Sequence, residues 1–198
     1  MQDTFLRPTP IPAPSRVLSA VLLTVFIVAV GGAAIGNLQY FVKAAAAYGP
    51  NTVGEAGKVY FAKSFQRGEP VFRVGTEPPY YPSVHGALFH VVVGTLGRWT
   101  DASPQSLYYI GRAISIGATI VTLILVAAIL RRFQIGAFWM VMLCIVFFAV
   151  RPVVGHAVSF RPDHWVLALS AFTCYLLLVG GNRWWVLGLA SITPTLAF

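Results

Sequence analysis

Between Arg16 and Lys43 the chain runs for 26 residues, Val17 to Val42, without a charge. About 20 apolar residues carry a helix across a hydrocarbon core of about 30 Å, so this run is long enough to span a bilayer with tilt. A cleavable signal peptide is the rival reading, since Gly32-Ala33-Ala34 has cleavage-site character. Signal peptides, however, carry apolar regions of only about 7–15 residues. The run is therefore read as an uncleaved first span. Arg7 and Arg16 precede it and place the N-terminus in the cytoplasm.

Composition closes off the soluble alternatives. Of the 198 residues, 57% are hydrophobic and 10% charged, against roughly 45–50% and about 25% in soluble domains. Too little charge remains to cover a soluble surface, which argues against a soluble enzyme, a disordered chain or a secreted disulfide scaffold. The net charge of +8 comes from 14 Lys/Arg and 6 Asp/Glu. These charges stand singly between apolar runs, so they read as topology and anionic-lipid signals and not as a nucleic-acid surface. Cys144 and Cys174 both fall inside apolar runs and form no metal or disulfide pattern.

Three further uncharged runs of 18 residues follow: Ala113–Leu130, Phe133–Val150 and Trp165–Asn182. A last apolar run, Trp184–Phe198, stops without a polar cap, so a continuation beyond Phe198 is expected. Val84–Gly97 has only 14 residues and carries His85, His90 and three glycines. Runs of that length are more often interfacial or re-entrant. If it does not cross, Arg131-Arg132 and Arg183 all fall in the cytoplasm, in keeping with the positive-inside rule.

The expected fold is an all-α polytopic membrane helix bundle. A proline-rich tail covers 1–16. Spans cover 17–42, 105–132, 133–150 and 165–182, with the start of another at 184–198. An external loop at 43–83 bears an interfacial helix, Gly54 to Arg67. A short interfacial or re-entrant helix covers 84–99, and a second external loop covers 151–164.

In this topology the external side collects Glu55, Glu69, Glu77, His85, His90, Arg112, Arg151, His156, Arg161, Asp163 and His164. Any chemistry belongs there. Glu55 opens the external helix, where a carboxylate complements the helix dipole. It is also placed to act as a general base or metal ligand. Arg161-Pro162-Asp163 reads as an interfacial ion pair, or as an arginine fork for phosphate oxygens. His85 and His90 are five residues apart and do not share a helix face. Trp184-Trp185 reads as an interfacial belt, and Tyr80-Tyr81 and Tyr108-Tyr109 read as interface anchors or as the lining of a glycan groove.

The order of several short motifs carries a resemblance. Arg67-Gly68-Glu69-Pro70-Val71-Phe72-Arg73 is followed by Pro79-Tyr80-Tyr81-Pro82 and Leu88-Phe89-His90-Val91-Val92-Val93. Gly111-Arg112-Ala113-Ile114-Ser115, Arg131-Arg132 and Phe160-Arg161-Pro162-Asp163 come next. From Val17 to Phe198 the chain resembles the N-terminal part of membrane glycosyltransferases of the GT-C fold. The branch it resembles is the protein mannosyltransferase-like group, which includes bacterial lipopolysaccharide sugar transferases. The resemblance implies a bacterial inner-membrane enzyme, a polyprenyl-phosphate sugar donor, and inverting transfer to a lipid, glycan or protein hydroxyl on the external side. It assigns Glu55 as base and Arg161 and Arg112 as donor-phosphate ligands. Asp163, Tyr81 and His85 take supporting roles. It names no certain cofactor and leaves a divalent metal open.

One departure bears on mechanism. The family usually has an aspartate in this loop, whereas Asn51-Thr52-Val53-Gly54-Glu55 has the glutamate alone. A non-catalytic subunit with a transferase-derived fold is therefore the alternative. A transporter is the third reading, disfavoured because the 18-residue runs hold no acidic or basic residue near the midplane.

Overall fold

The computed structural model describes residues 16–51, 53–69, 87–180, 185–186 and 188–189, and all regular elements among them are helices. They are α1 (Arg16–Ala46), α2 (Val53–Gln66), α3 (Ala87–Trp99), α4 (Pro104–Arg132), α5 (Ala137–Ala149), α6 (Arg151–Ala157) and α7 (Asp163–Gly180). The bundle expected from the sequence is present as an all-α fold. The expectations on 1–15, on Glu77, Tyr81 and His85, and on most of 184–198 lie outside the described residues.

Among the described residues three single helices are long and apolar enough to cross a membrane: Val17–Ala46, Pro104–Arg132 and Asp163–Gly180. The most apolar stretch of α1 has none of its residues buried, and α5 has no buried residue at all. Val17, Val25, Val28, Ile35 and Val42 are each at least 60% exposed. A helix this apolar and this uncovered is stable only where hydrocarbon is the solvent.

The buried core lies at one end of the bundle. Val59 and Ala62 of α2, Phe89 and Val93 of α3, Leu107 and Tyr108 of α4 and Phe160 pack together there. Small residues permit the close approach: a Cβ on Gly94 would stand 2.7 Å from the Ala62 carbonyl oxygen. At 13 residues, α3 is only about 20 Å long, short of a hydrocarbon core, and its Phe89, His90 and Val93 are buried within this cluster.

Helix α4 starts cleanly. Pro104 occupies its first turn, where no amide bond is lost, and the Ser103 hydroxyl accepts the Ser106 amide at 3.1 Å. It ends on Arg131 and Arg132, which complement the C-terminal dipole. It packs chiefly along α7, while α5 packs along α1.

The run expected as a span at 133–150 is bent: α5 and α6 are long and apolar enough to cross a membrane only when taken together. After a turn at Phe133–Gly136, α5 has 13 residues, about 20 Å, and then the chain bends by 83° into α6. The cause is Pro152, which cannot donate to the carbonyl four residues back and clashes with it. That carbonyl belongs to Phe148. It and the Ala149 carbonyl accept hydrogen bonds from Asn37 Nδ2, at 3.0 and 2.9 Å. An amide side chain inside the first span thus satisfies carbonyls that the break exposes at membrane depth. The stretch 151–164, expected as a loop, accordingly contains a helix.

Candidate functional site

The site is built where α2, the head of α4 and the 158–163 segment meet. Glu55 sits in the first turn of α2 and is 0% exposed. Its Oε2 accepts the Asn51 amide, and its Oε1 accepts the Phe160 amide. Arg112 Nη2 stands 3.4 Å from Oε2. Arg112 also donates from Nη1 to the Ala47 carbonyl at 2.6 Å and from Nη2 to the Gly49 carbonyl. Its guanidinium lies 5.6 Å from the Tyr108 ring centroid.

Local sequence explains this convergence. Gly49 adopts φ 91, a left-handed conformation that turns the chain from α1 back towards α2. Gly111 has no Cβ because one would lie 2.1 Å from the Phe160 ring. Phe160 can therefore pack directly against α4 at Gly111 while its amide bonds Glu55. Asn51 Nδ2 donates to the Ala44 carbonyl at 2.7 Å and the Val158 carbonyl at 3.2 Å, which ties the end of α1 to the 158–163 segment. Ser115 Oγ donates to the Arg161 carbonyl at 3.0 Å.

A second group of charges lies beside the first. Arg161 Nε and Asp163 Oδ2 are 3.4 Å apart, with side chains 27% and 41% exposed. Arg161 Nη1 also contacts His156 Nε2. Lys58 is 7% exposed, and its Nζ has no hydrogen-bond partner among the described residues. Burial, and after it the Arg161 charge, hold the Lys58 ammonium below its ordinary 10.5, while Asp163 and Glu55 pull the other way. Lys58 is thus a buried cation whose charge is opposed chiefly by burial and then by Arg161.

Of the residues expected from the sequence, Glu55 and Arg112 are joined directly, and Arg161 and Asp163 form the neighbouring pair. His164 is buried nearby, with Nε2 3.2 Å from the Val153 carbonyl oxygen. His90 is enclosed by the rings of Phe61, Phe89 and Phe160 at 5.6, 5.7 and 6.3 Å. Among the described residues no group of three His, Cys, Asp or Glu is arranged to hold a metal ion.

Sequence reasoning passed over Lys58, Asn51 and Phe160. Lys58 had a readable signal: it follows Glu55 by three residues and so lies on the same helix face as Glu55 and Ala62. Asn51 and Phe160 act through backbone groups, which leave no pattern in a sequence.

An apolar groove of about 520 Å³ runs between α4 and α7. Ile114, Gly117, Val121, Trp165, Leu169 and Phe172 line it. Its head adjoins the charges, since Ile114 precedes Ser115 and Trp165 follows Asp163 by two residues. The Trp165 Nε1 is buried without a hydrogen-bond partner among the described residues.

Fold and site together define a helical membrane protein with a buried polar cluster at one end of its spans. Comparison with protein-family models, with curated proteins and with solved structures finds no match.

Proposed function

We propose that this chain is a membrane glycosyltransferase that moves a sugar from a polyprenyl-phosphate donor to an acceptor hydroxyl at the external face of the membrane, with inversion. The observation that carries the reading is an apolar α4–α7 groove whose Trp165 follows the Arg161–Asp163 pair in the chain, with buried Lys58 within electrostatic reach of that pair. An apolar channel with cations nearby is complementary to a long hydrocarbon chain that ends in phosphate. In this reading the N-terminus and Arg131-Arg132 face the cytoplasm of a bacterial inner membrane, and the acceptor is a lipid, glycan or protein.

The reaction asks for a base and an anion clamp. The acceptor oxygen attacks the anomeric carbon, its proton passes to a carboxylate, and the bond to the phosphate oxygen breaks with the electron pair leaving on phosphate. Arg161 and Lys58 stabilise that leaving charge. Glu55 is the base that the resemblance implies. Its oxygens already accept from two amides and face Arg112. Asp163, beside Arg161, is the more accessible carboxylate. We therefore place proton acceptance on Asp163 and assign Glu55 and Arg112 to positioning.

A second reading, a non-catalytic subunit of a larger complex, draws on the same saturation of Glu55. Reconstitution with a polyprenyl-phosphate sugar and membrane-derived acceptors separates the two. Transferase activity that falls at least 100-fold in Asp163→Asn and in Arg161→Gln, with insertion intact, supports the enzyme. Co-purification with a partner complex, and no transfer by the isolated chain, supports the subunit.

A further inference from the structure

The proposed chemistry uses one apolar groove on the spans and leaves another. That second groove, about 400 Å³, runs between α1 and α5 and is lined by Ala34, Ile35, Leu38, Met140, Cys144 and Phe148 with their neighbours. Its lining is apolar, Cys144 included.

The groove has a distinct head. Phe41 meets Phe148 edge-on at 6.2 Å. Beside this pair the Arg151 guanidinium lies 4.7 Å from the Tyr40 ring centroid. Arg151 is exposed, and so is Lys43, one turn beyond Tyr40 on α1. Arg151 owes its position to the broken helix: α5 stops at Ala149, Asn37 binds the freed carbonyls, and the chain turns by 83° so that Arg151 opens α6.

Depth agrees with this geometry. The 31 residues of α1 measure about 46 Å, of which about 30 Å is hydrocarbon, so roughly 8 Å projects at each end. Tyr40 lies six residues from the end at Ala46, about 9 Å. Tyr40 and Arg151 therefore stand where hydrocarbon gives way to headgroups, while the groove lies deeper.

We infer that the α1–α5 groove holds one acyl chain of an anionic phospholipid, with the lipid phosphate on Arg151 and Lys43 adding charge. The planar guanidinium suits a pair of phosphate oxygens, and the Tyr40 ring holds it in place. The inference does not depend on the transferase reading, because it uses neither the α4–α7 groove nor the Glu55 and Arg161 groups.

The test uses the full chain in detergent with Cys174→Ser, so that Cys144 is its one thiol. Native mass spectrometry counts retained dioleoyl phosphatidylglycerol against dioleoyl phosphatidylcholine at matched concentration. One surface cation near an anionic lipid corresponds to about a five-fold preference. A phosphatidylglycerol excess of at least that size is expected, lowered about five-fold in Arg151→Gln and less in Arg151→Lys. Leu38→Trp, which fills the groove, removes retention of both lipids. Bound phosphatidylglycerol also slows maleimide labelling of Cys144, whereas inorganic phosphate alone does not. Equal retention of the two lipids, an excess undiminished in Arg151→Gln, or protection by inorganic phosphate overturns the inference. Concentration-dependent self-protection of Cys144 without lipid also overturns it and gives the groove to a second copy of the chain.

Discussion

Arg112 Nη2 lies 3.4 Å from Glu55 Oε2, and neither side chain is more than 1% exposed. The pair joins α2 to α4, and through Ala47 and Gly49 it also holds the end of α1. Removing one member of a buried pair strands the other charge, at a cost of about 3–5 kcal/mol. Glu55→Ala should therefore lower stability by that amount in a denaturant titration. The double variant Glu55→Ala/Arg112→Met should recover part of the loss. A double variant no more stable than Glu55→Ala would show that the cost comes from the lost amide contacts and not from the stranded cation.

Asn37 presents a cleaner case, because the substitution makes its span more apolar. Asn37→Leu favours insertion yet leaves the Phe148 and Ala149 carbonyls without their donor. Each unsatisfied buried group costs about 1–3 kcal/mol. Insertion should be unimpaired and resistance to denaturing detergent reduced. Unchanged resistance would mean that water or lipid replaces the amide.

Gly111→Ala tests the contact that delivers Phe160. The added methyl would lie 2.1 Å from the ring, so the ring must move. Overpacking of this kind costs about 1–3 kcal/mol. Because the Phe160 amide bonds Glu55, backbone exchange at Phe160 should also accelerate, which hydrogen exchange would detect.

Lys58 gives a pH dependence with a definite sign. Its folded pKa is lowered, so the unfolded chain binds the proton more tightly. Stability then rises with pH across the window whose upper edge is the ordinary value of 10.5. Melting temperature in detergent should climb between neutral pH and that edge. Lys58→Met should flatten the climb and raise stability at neutral pH. A slope unchanged by the substitution would assign the titration to another group.

Much of the fold was legible because membrane helices obey a one-dimensional rule. A helix in lipid satisfies its own backbone, so an uncharged run of sufficient length marks it without reference to neighbours. Helix α1 and the long α4 could be read this way, and so could the short α2, from its charge pattern and the turn after it. The break in the run at 133–150 was not legible, because hydropathy is blind to backbone bonding. Pro152 lies just beyond the run, and its effect falls on Phe148, four residues back, where Asn37 of another helix repairs it. Candidate acids and arginines were likewise visible as types. Their grouping was not: Glu55 and Arg112 are 57 residues apart, and Glu55 and Phe160 are 105.

The sequence by itself determined the solvent. Its apolar runs require hydrocarbon around α1, α4 and α7, since burial of those faces in water would need a far larger protein. Tertiary structure alone decided how the charges are used. It buries Glu55 and Arg112 as a joint between helices, buries the Lys58 Nζ without a hydrogen-bond partner among the described residues, and sets Arg151 at the head of a groove. Hydropathy adds up residue by residue along a chain, whereas pairing, desolvation and access depend on which distant segments the packing brings together.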